Sequence, residues 1–416
     1  MGVNKVKLVV EQGVIEGVCD ERFSAVQDEF VANFIERGEI GASVSLTFEG
    51  ETLVDLWGGV ARRGKDGAAD TPWAEDTVCV VASTTKGATA ICANMLAERG
   101  ELDLNAPVIE YWPEYGVHGK QDTRVSMFLD HSAGLPALKT KVKEGGFLDF
   151  DYMADLLANE EPFWQPGTSV GYHGATYAWT VGNIIRRATG RTLSEFFATE
   201  VAGPLGVDFH IGVPDDKIDA VYARTARLTP PTLDPNAKPS VFTEVLLSDR
   251  QSAPNLFLFN TGNAAFGSKE AIQAEIGSAT GVTNGRAVAK LYRPVANGGV
   301  WDGVKLMGAD TITNMGRVWS ATEFDMTLCQ PTRFGLGFMK SMDNRKLDGE
   351  KAYSSYVVPE SALGHVGAGG SVGFADPDAG LSFGYVMNKQ GPGILLNERG
   401  QSLVNAAYAS IGKPQA

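Results

Sequence analysis

Residues Thr77 to Gly100 read TVCVVASTTKGATAICANMLAERG, and the chain is organised around them. Val78-Cys79-Val80-Val81 is a short β-branched run that predicts extended backbone. The chain then turns through Ala82-Ser83 into a helix whose apolar residues are Ala88, Ile91, Cys92, Met95 and Leu96. That i, i+3, i+4, i+7, i+8 spacing marks one buried face, and Gly100 is a stop signal. Ser83 and Lys86 stand three residues apart at the helix start, so they share a face. A serine hydroxyl becomes a useful nucleophile when a neighbouring base takes its proton. A lysine held neutral by burial can be that base. The helix N-terminus disfavours an ammonium and points free N–H groups at developing negative charge. S-x-x-K is also what an N-capping serine and a solvated lysine look like, so the rest of the chain has to decide.

At 416 residues the chain can form one large or two medium domains. An apolar fraction of 44% and a charged fraction of 21% suit a soluble globular protein. The net charge of −14 argues against nucleic acid or an anionic membrane as partner. Four scattered cysteines form no C-x-x-C pair, and Cys79 and Cys92 read as buried free thiols. Five dispersed histidines without H-E-x-x-H give no metal site, and no cofactor motif stands out. The N-terminal MGVNKVKLVVEQG lacks the apolar core of a secretory signal, and no apolar run reaches membrane-spanning length. The expectation is a cytoplasmic protein with no membrane partner; oligomeric state is not readable.

Outward from Ser83, apolar residues at 23, 26, 30, 31 and 34 predict an amphipathic helix over 22–37. Ala42, Val44, Leu46 and Phe48 alternate with polar residues, and Glu49-Gly50 turns the chain into Leu53–Trp57, a hairpin. Residues 80–215 read as mostly helical, with Tyr177, Val181, Ile184, Ile185 and Ala188 on one helix face. Pro230, Pro231, Pro235 and Pro239 predict a loop over 225–240. Residues 242–285 have no clean period and receive no assignment. Helix resumes over Arg286–Val295, followed by short strands at Phe334–Phe338, Ser371–Ala375 and Leu381–Met387 and a closing helix over Leu403–Ile411. Strands at both ends with helices between predict an α+β fold. An antiparallel sheet and its flanking terminal helices come from 1–75 and 290–416, and a mainly helical domain, 76–289, is inserted, with Ser83 at the seam.

Two other serines, Ser169 and Ser371, sit in G-x-S-x-G, the nucleophile elbow of α/β-hydrolases. That motif needs a strand before it and a helix after it. Pro162-Phe163-Trp164-Gln165-Pro166 precedes Ser169, and the turn residues Asp376-Pro377 and Gly380 follow Ser371, so neither has the context.

Ser83-x-x-Lys86, then Tyr172-His173-Gly174, then His365-Val366-Gly367 resemble the class C β-lactamase and penicillin-recognising serine hydrolases, and within them most nearly the family VIII carboxylesterases. Leu129-Asp130-His131-Ser132-Ala133-Gly134-Leu135-Pro136, Gly100-Glu101-Leu102-Asp103-Leu104, Pro166-Gly167 and Phe334-Gly335-Leu336-Gly337-Phe338 extend the resemblance along nearly the whole chain. The resemblance implies a β-lactamase/transpeptidase-like fold and an acyl-enzyme on Ser83. Lys86 and Tyr172 would be the base system, with a tyrosinate stabilised by the lysine. The N–H groups of Ser83 and Ala368 would form an oxyanion hole. It also places Gly174, His365 and Gly367 at the substrate, with His173 a candidate for narrowing the acyl pocket. Two departures matter. Gly174 stands where the family's lactamases carry an asparagine, and His365 where they carry a lysine. Both remove handles for a charged, amide-bearing β-lactam or D-peptide, so the expected substrate is a small neutral short-chain ester. The alternatives are a β-lactamase, D-amino-acid peptidase or acyltransferase on the same groups, or a non-catalytic binding protein.

Overall fold

The computed structural model describes residues 2–232, 236, 238–346 and 354–413, so Pro235 of the proline-rich loop lies outside the described residues. An eight-stranded antiparallel sheet is built from both chain ends. From the N-terminal side come β1 (Val3–Val10), β2 (Gly13–Asp20), β3 (Gly41–Phe48) and β4 (Glu51–Arg62). From the C-terminal side come β5 (Leu363–Val366), β6 (Val372–Asp376) and β7 (Leu381–Met387). The order is β1-β2-β4-β3-β7-β6-β5, with Thr71–Pro72 paired to β4. The two ends meet where Leu381 lies opposite Phe48 and Met387 opposite Ala42.

Both faces of the sheet are covered. Phe374, Leu381, Phe383 and Tyr385 belong to one core with Val44 and Leu46, beneath the packed helices α1 (Ser24–Ile35) and α7 (Glu398–Ser410). Arg399 of α7 and Tyr385 of β7 both bond to the buried Glu39 carboxylate, joining helix to sheet. On the opposite face lies α6 (Gly285–Ala296). Here the strands present small residues. Gly285 N–H donates to Ser43 Oγ (2.9 Å), and Ser382 Oγ donates to Ala289 O (2.7 Å). The alternation in β3 is thus large against small, and its serines are buried under a helix instead of facing water. All of α6 packs on the sheet, so this layer begins at 285, ahead of the expected boundary at 290.

The helical part holds α2 (Thr85–Glu98), which packs against α3 (Tyr177–Thr189). Its first and last residues run side by side, Cys79 opposite Thr283 and Val80 opposite Val282. Residues 242–285, without a sequence assignment, contain all but the first residue of α4 (Val241–Ser248), and α5 (Ala253–Phe259), a short helix Lys269–Gln273 and the strand Val282–Thr283. Phe334–Phe338 is extended only at its start, in a strand Thr332–Phe334. The four cysteines are buried and free.

The close approach of α6 requires Gly384. A β-carbon there would overlap Gly285 O and lie 2.7 Å from Ala289 N and 2.8 Å from Val288 Cβ. Backbone atoms cannot yield, so Gly384→Ala is expected to destabilise the fold by about 1–3 kcal/mol. The urea midpoint measures it, and an unchanged midpoint contradicts the packing.

Candidate active site

Ser83 sits in a single 3-10 turn, Ala82–Thr84, that leads directly into α2. Ala82 adopts φ +45°, a left-handed conformation that disfavours a residue with a β-carbon by about 1 kcal/mol or more. Three contacts hold the strained turn in place. Val81 N–H donates to Gly281 O (3.0 Å), Ser371 Oγ donates to Val81 O (2.9 Å), and Gly281 N–H donates to Thr85 Oγ1 (3.0 Å). Ser371, one of the two G-x-S-x-G serines, is therefore a buried clamp on the Ser83 turn. Ser169 lies in an irregular loop beside a surface cleft lined by Phe324 and Met326.

Lys86 Nζ lies 3.2 Å from Ser83 Oγ and donates to Ser278 O (3.1 Å). The lysine is fully buried, and among the described residues no carboxylate pairs with it. Desolvation holds its pKa well below the usual 10.5 and so favours the uncharged amine. The rings of Tyr172 and Tyr177 face it, with centroids 4.9 and 5.5 Å from Nζ.

Tyr172 enters on a loop whose three consecutive N–H groups are held from outside. Gly171 N–H donates to His131 O (3.1 Å), Tyr172 N–H to both Asp325 oxygens (3.0 and 3.1 Å), and His173 N–H to His131 Nδ1 (3.2 Å). The phenol is buried, and burial pushes its pKa up while Ser83 draws it slightly back. Its Oη is near enough to sense the serine hydroxyl, yet makes no well-formed hydrogen bond. Burial thus disfavours the charged form of both groups.

β5 delivers the third segment. Gly367 packs so tightly on the Ser83 turn that a β-carbon would overlap Val81 O and Ser371 Oγ. The next residue, Ala368, is exposed, and neither its N–H nor that of Ser83 is taken by a backbone carbonyl in the turns and loops. His365 is fully buried, its Nδ1 donates to Val366 O (2.7 Å), and its Nε2 has no partner among the described residues. Burial, with Lys86 nearby, lowers its pKa to about 3. His173, the candidate for narrowing the acyl pocket, is fully buried. Its Nδ1 donates to Gly171 O (2.7 Å) and its Nε2 accepts from Leu135 N–H (3.0 Å), so both nitrogens are used in fixing the loop. Gly174 lies under the Phe257 ring of α5. His131, His173, His365 and Lys86 are all buried, and burial lowers each pKa, favouring the uncharged form.

Sequence reasoning missed Asp325 and Ser278. Asp325 is fully buried and also accepts from Thr327 N–H and Leu328 N–H (both 2.8 Å) and Thr332 Oγ1 (2.9 Å). It is the anchor of the Tyr172 loop, reached across 153 residues. Ser278 O was invisible because backbone carbonyls leave no mark in composition.

The Lys86 shift has a signed consequence. Between its lowered folded value and 10.5 the unfolded chain binds a proton there that the folded chain does not, so stability rises with pH. Lys86→Met removes this term. Urea midpoints taken from pH 6.5 to 9.5 are expected to show Lys86→Met the more stable at low pH, with the difference shrinking as pH rises. A difference that is constant with pH contradicts a neutral Lys86.

The beta-lactamase family model matches residues 23–405. The esterase/beta-lactamase LipL of Mycobacterium tuberculosis is 33% identical over 378 residues, 90% of this chain and 82% of LipL. A family VIII carboxylesterase structure superposes with a TM-score of 0.82 at 34% identity, over 95% of this chain and 99% of that one. A penicillin-binding protein homologue from Caulobacter crescentus gives the same values. The chain belongs to the beta-lactamase family and is a serine hydrolase.

Proposed function

We propose that this protein is a cofactor-free serine carboxylesterase for short-chain acyl esters, acting through an acyl-enzyme on Ser83. The observation that carries the reading is the fully buried Lys86 amine, 3.2 Å from Ser83 Oγ and, among the described residues, without a carboxylate partner. Ser83 Oγ attacks the acyl carbon as its proton passes to Lys86 Nζ. The new ammonium is met by Ser278 O and by the faces of Tyr172 and Tyr177. The carbonyl oxygen becomes an oxyanion facing the Ser83 and Ala368 N–H groups. Collapse breaks the bond to the alcohol oxygen, which takes a proton relayed from Lys86 through the Tyr172 phenol. Water then enters by the same route in reverse, giving the acid and free Ser83.

A second reading, β-lactam turnover, is favoured by LipL, described as both esterase and beta-lactamase. Gly174 and the neutral His365 argue that it is the slower activity here, because neither offers an amide or a charge to a β-lactam. D-amino-acid peptidase, acyltransferase and non-catalytic binding readings gain no such support.

With a short-chain nitrophenyl ester, Ser83→Ala is expected to abolish turnover, while Ser169→Ala keeps it. Lys86→Met and Tyr172→Phe should lower kcat by roughly 10²–10⁴, the usual contribution of positioned acid–base groups. Nitrocefin turned over faster than the ester would reverse the order of the two readings.

A further inference from the structure

Gly174 follows Tyr172 by two residues, and its α-carbon is capped by an aromatic ring from a different part of the chain. A β-carbon on Gly174 would coincide with Cδ2 and Cε2 of Phe257 and lie 3.0 Å from its Cζ. The same ring stands edge-on to Tyr172, centroids 6.4 Å apart at 72°. Next to Gly174, Ala175 O accepts from Ser278 Oγ (2.9 Å), and Ser278 O accepts from Lys86. Phe257 therefore closes the wall behind the base pair, in the volume that a side chain at 174 would otherwise fill.

The ring is held there by a dedicated anchor. Phe257 and Asn260 are one helical turn apart at the end of α5. Asn260 Nδ2 donates to Leu138 O (2.8 Å) and Thr140 O (2.9 Å), and its Oδ1 accepts from Val142 N–H (3.0 Å). α4 and α5 pack chiefly on each other, joined by Asn255 Nδ2 donating to Leu246 O (2.8 Å). Leu247, Leu258 and Phe259 of this helix pair face outward, at 72%, 42% and 64% exposure, whereas Phe257 turns in. Asn260 ties the end of this helix pair to the 138–142 segment, next to the ring's own packing on the core.

We infer that Phe257, positioned by Asn260, is the residue that limits the size of the ester group bound on the Tyr172 side of Ser83, so that this enzyme selects small apolar esters by filling the space beside Gly174. The inference deepens the esterase reading and rests on it. Adding carbons to a substrate group pressed against this ring is opposed sterically, because the ring is backed by Gly174 and Tyr172. Removing the ring leaves an apolar recess that longer chains can occupy, at a gain of roughly tenfold or more per well-filled contact.

Two measurements test it. Nitrophenyl esters of increasing acyl length, and acetate esters of increasing alcohol length, are assayed for the wild type, Phe257→Ala and Asn260→Ala. Fluorophosphonate labelling of Ser83 is followed in parallel. Phe257→Ala is expected to raise the long-to-short ratio of kcat/KM about tenfold or more in one series, which also identifies whether acyl or alcohol lies against the ring. Asn260→Ala should shift the same series in the same direction by less. A labelled Phe257→Ala enzyme with both ratios within twofold of wild type overturns the inference. Failure of wild-type Ser83 to label or turn over any ester overturns the esterase reading, and this inference falls with it. The contact itself is checked without substrate by the urea midpoints of Gly174→Ala, Phe257→Ala and the double variant. The double variant should be more stable than Gly174→Ala alone, and additive losses would contradict the packing.

Discussion

The structure depends on keeping one lysine amine dry and uncharged beside a serine. Among the described residues Lys86 has no carboxylate partner, and its polar contacts there are Ser83 Oγ and Ser278 O. A buried ammonium without an anion is expensive, and the molecule avoids the expense by releasing the proton. Helix α2 favours that choice, because its N-terminal dipole adds positive potential where Lys86 sits. The surrounding imidazoles are neutral for the same reason, so the site contains proton-handling groups but little fixed charge. Such a site suits a neutral carbonyl substrate better than an anionic one.

Neutrality explains how the two departures from the family pattern belong together. With a lysine in place of His365, a second ammonium would compete with Lys86 for the same buried volume. His365 instead sits with its pKa lowered to about 3 and its Nε2 open. With an asparagine in place of Gly174, the amide would have to occupy the volume of the Phe257 ring. Both positions thus lack the amide and the ammonium of the family pattern, one filled by an apolar ring and the other by a buried imidazole.

What the sequence made legible follows the range of the interactions. Ser83 and Lys86 were readable because their contact is local, a three-residue spacing inside a strong helical period. β7 and α6 were readable because each has an apolar pattern of its own. β1 was not, since as an edge strand it buries only Val6 and carries no period-two signal. The serines of β3 gave the correct strand but pointed to the wrong neighbour, because alternation cannot distinguish water from a close-packed helix. α4 and α5 were hidden by their outward Leu247, Leu258 and Phe259, which blur the helical period, although Ser240 and Ser252 do cap their starts. Asp325 is the extreme case. Its task is to accept N–H groups from a loop far away in sequence, and a single acidic residue in an irregular stretch gives no sign of it.

The placement of the site at the seam has a mechanical cause. The inserted helical part leaves the sheet layer just after Cys79–Val80 and returns at Val282–Thr283, and these ends are paired with each other. Ser83 and Lys86 follow the outgoing strand by a few residues, and Ser278 and Gly281 precede the returning one. Ser83 and Lys86 therefore stand at one end of the excursion, and the lysine's carbonyl partner and the Gly281 clamp at the other, brought together by the pairing of the two short strands. The turn between β5 and β6 adds Gly367 and Ser371 from the far end of the chain against the same turn. No one segment can hold Ala82 in its left-handed conformation or keep Lys86 out of water. The reactive geometry exists only when both ends of the insertion and the C-terminal strands are in place, so assembling the nucleophile and completing the fold are the same event.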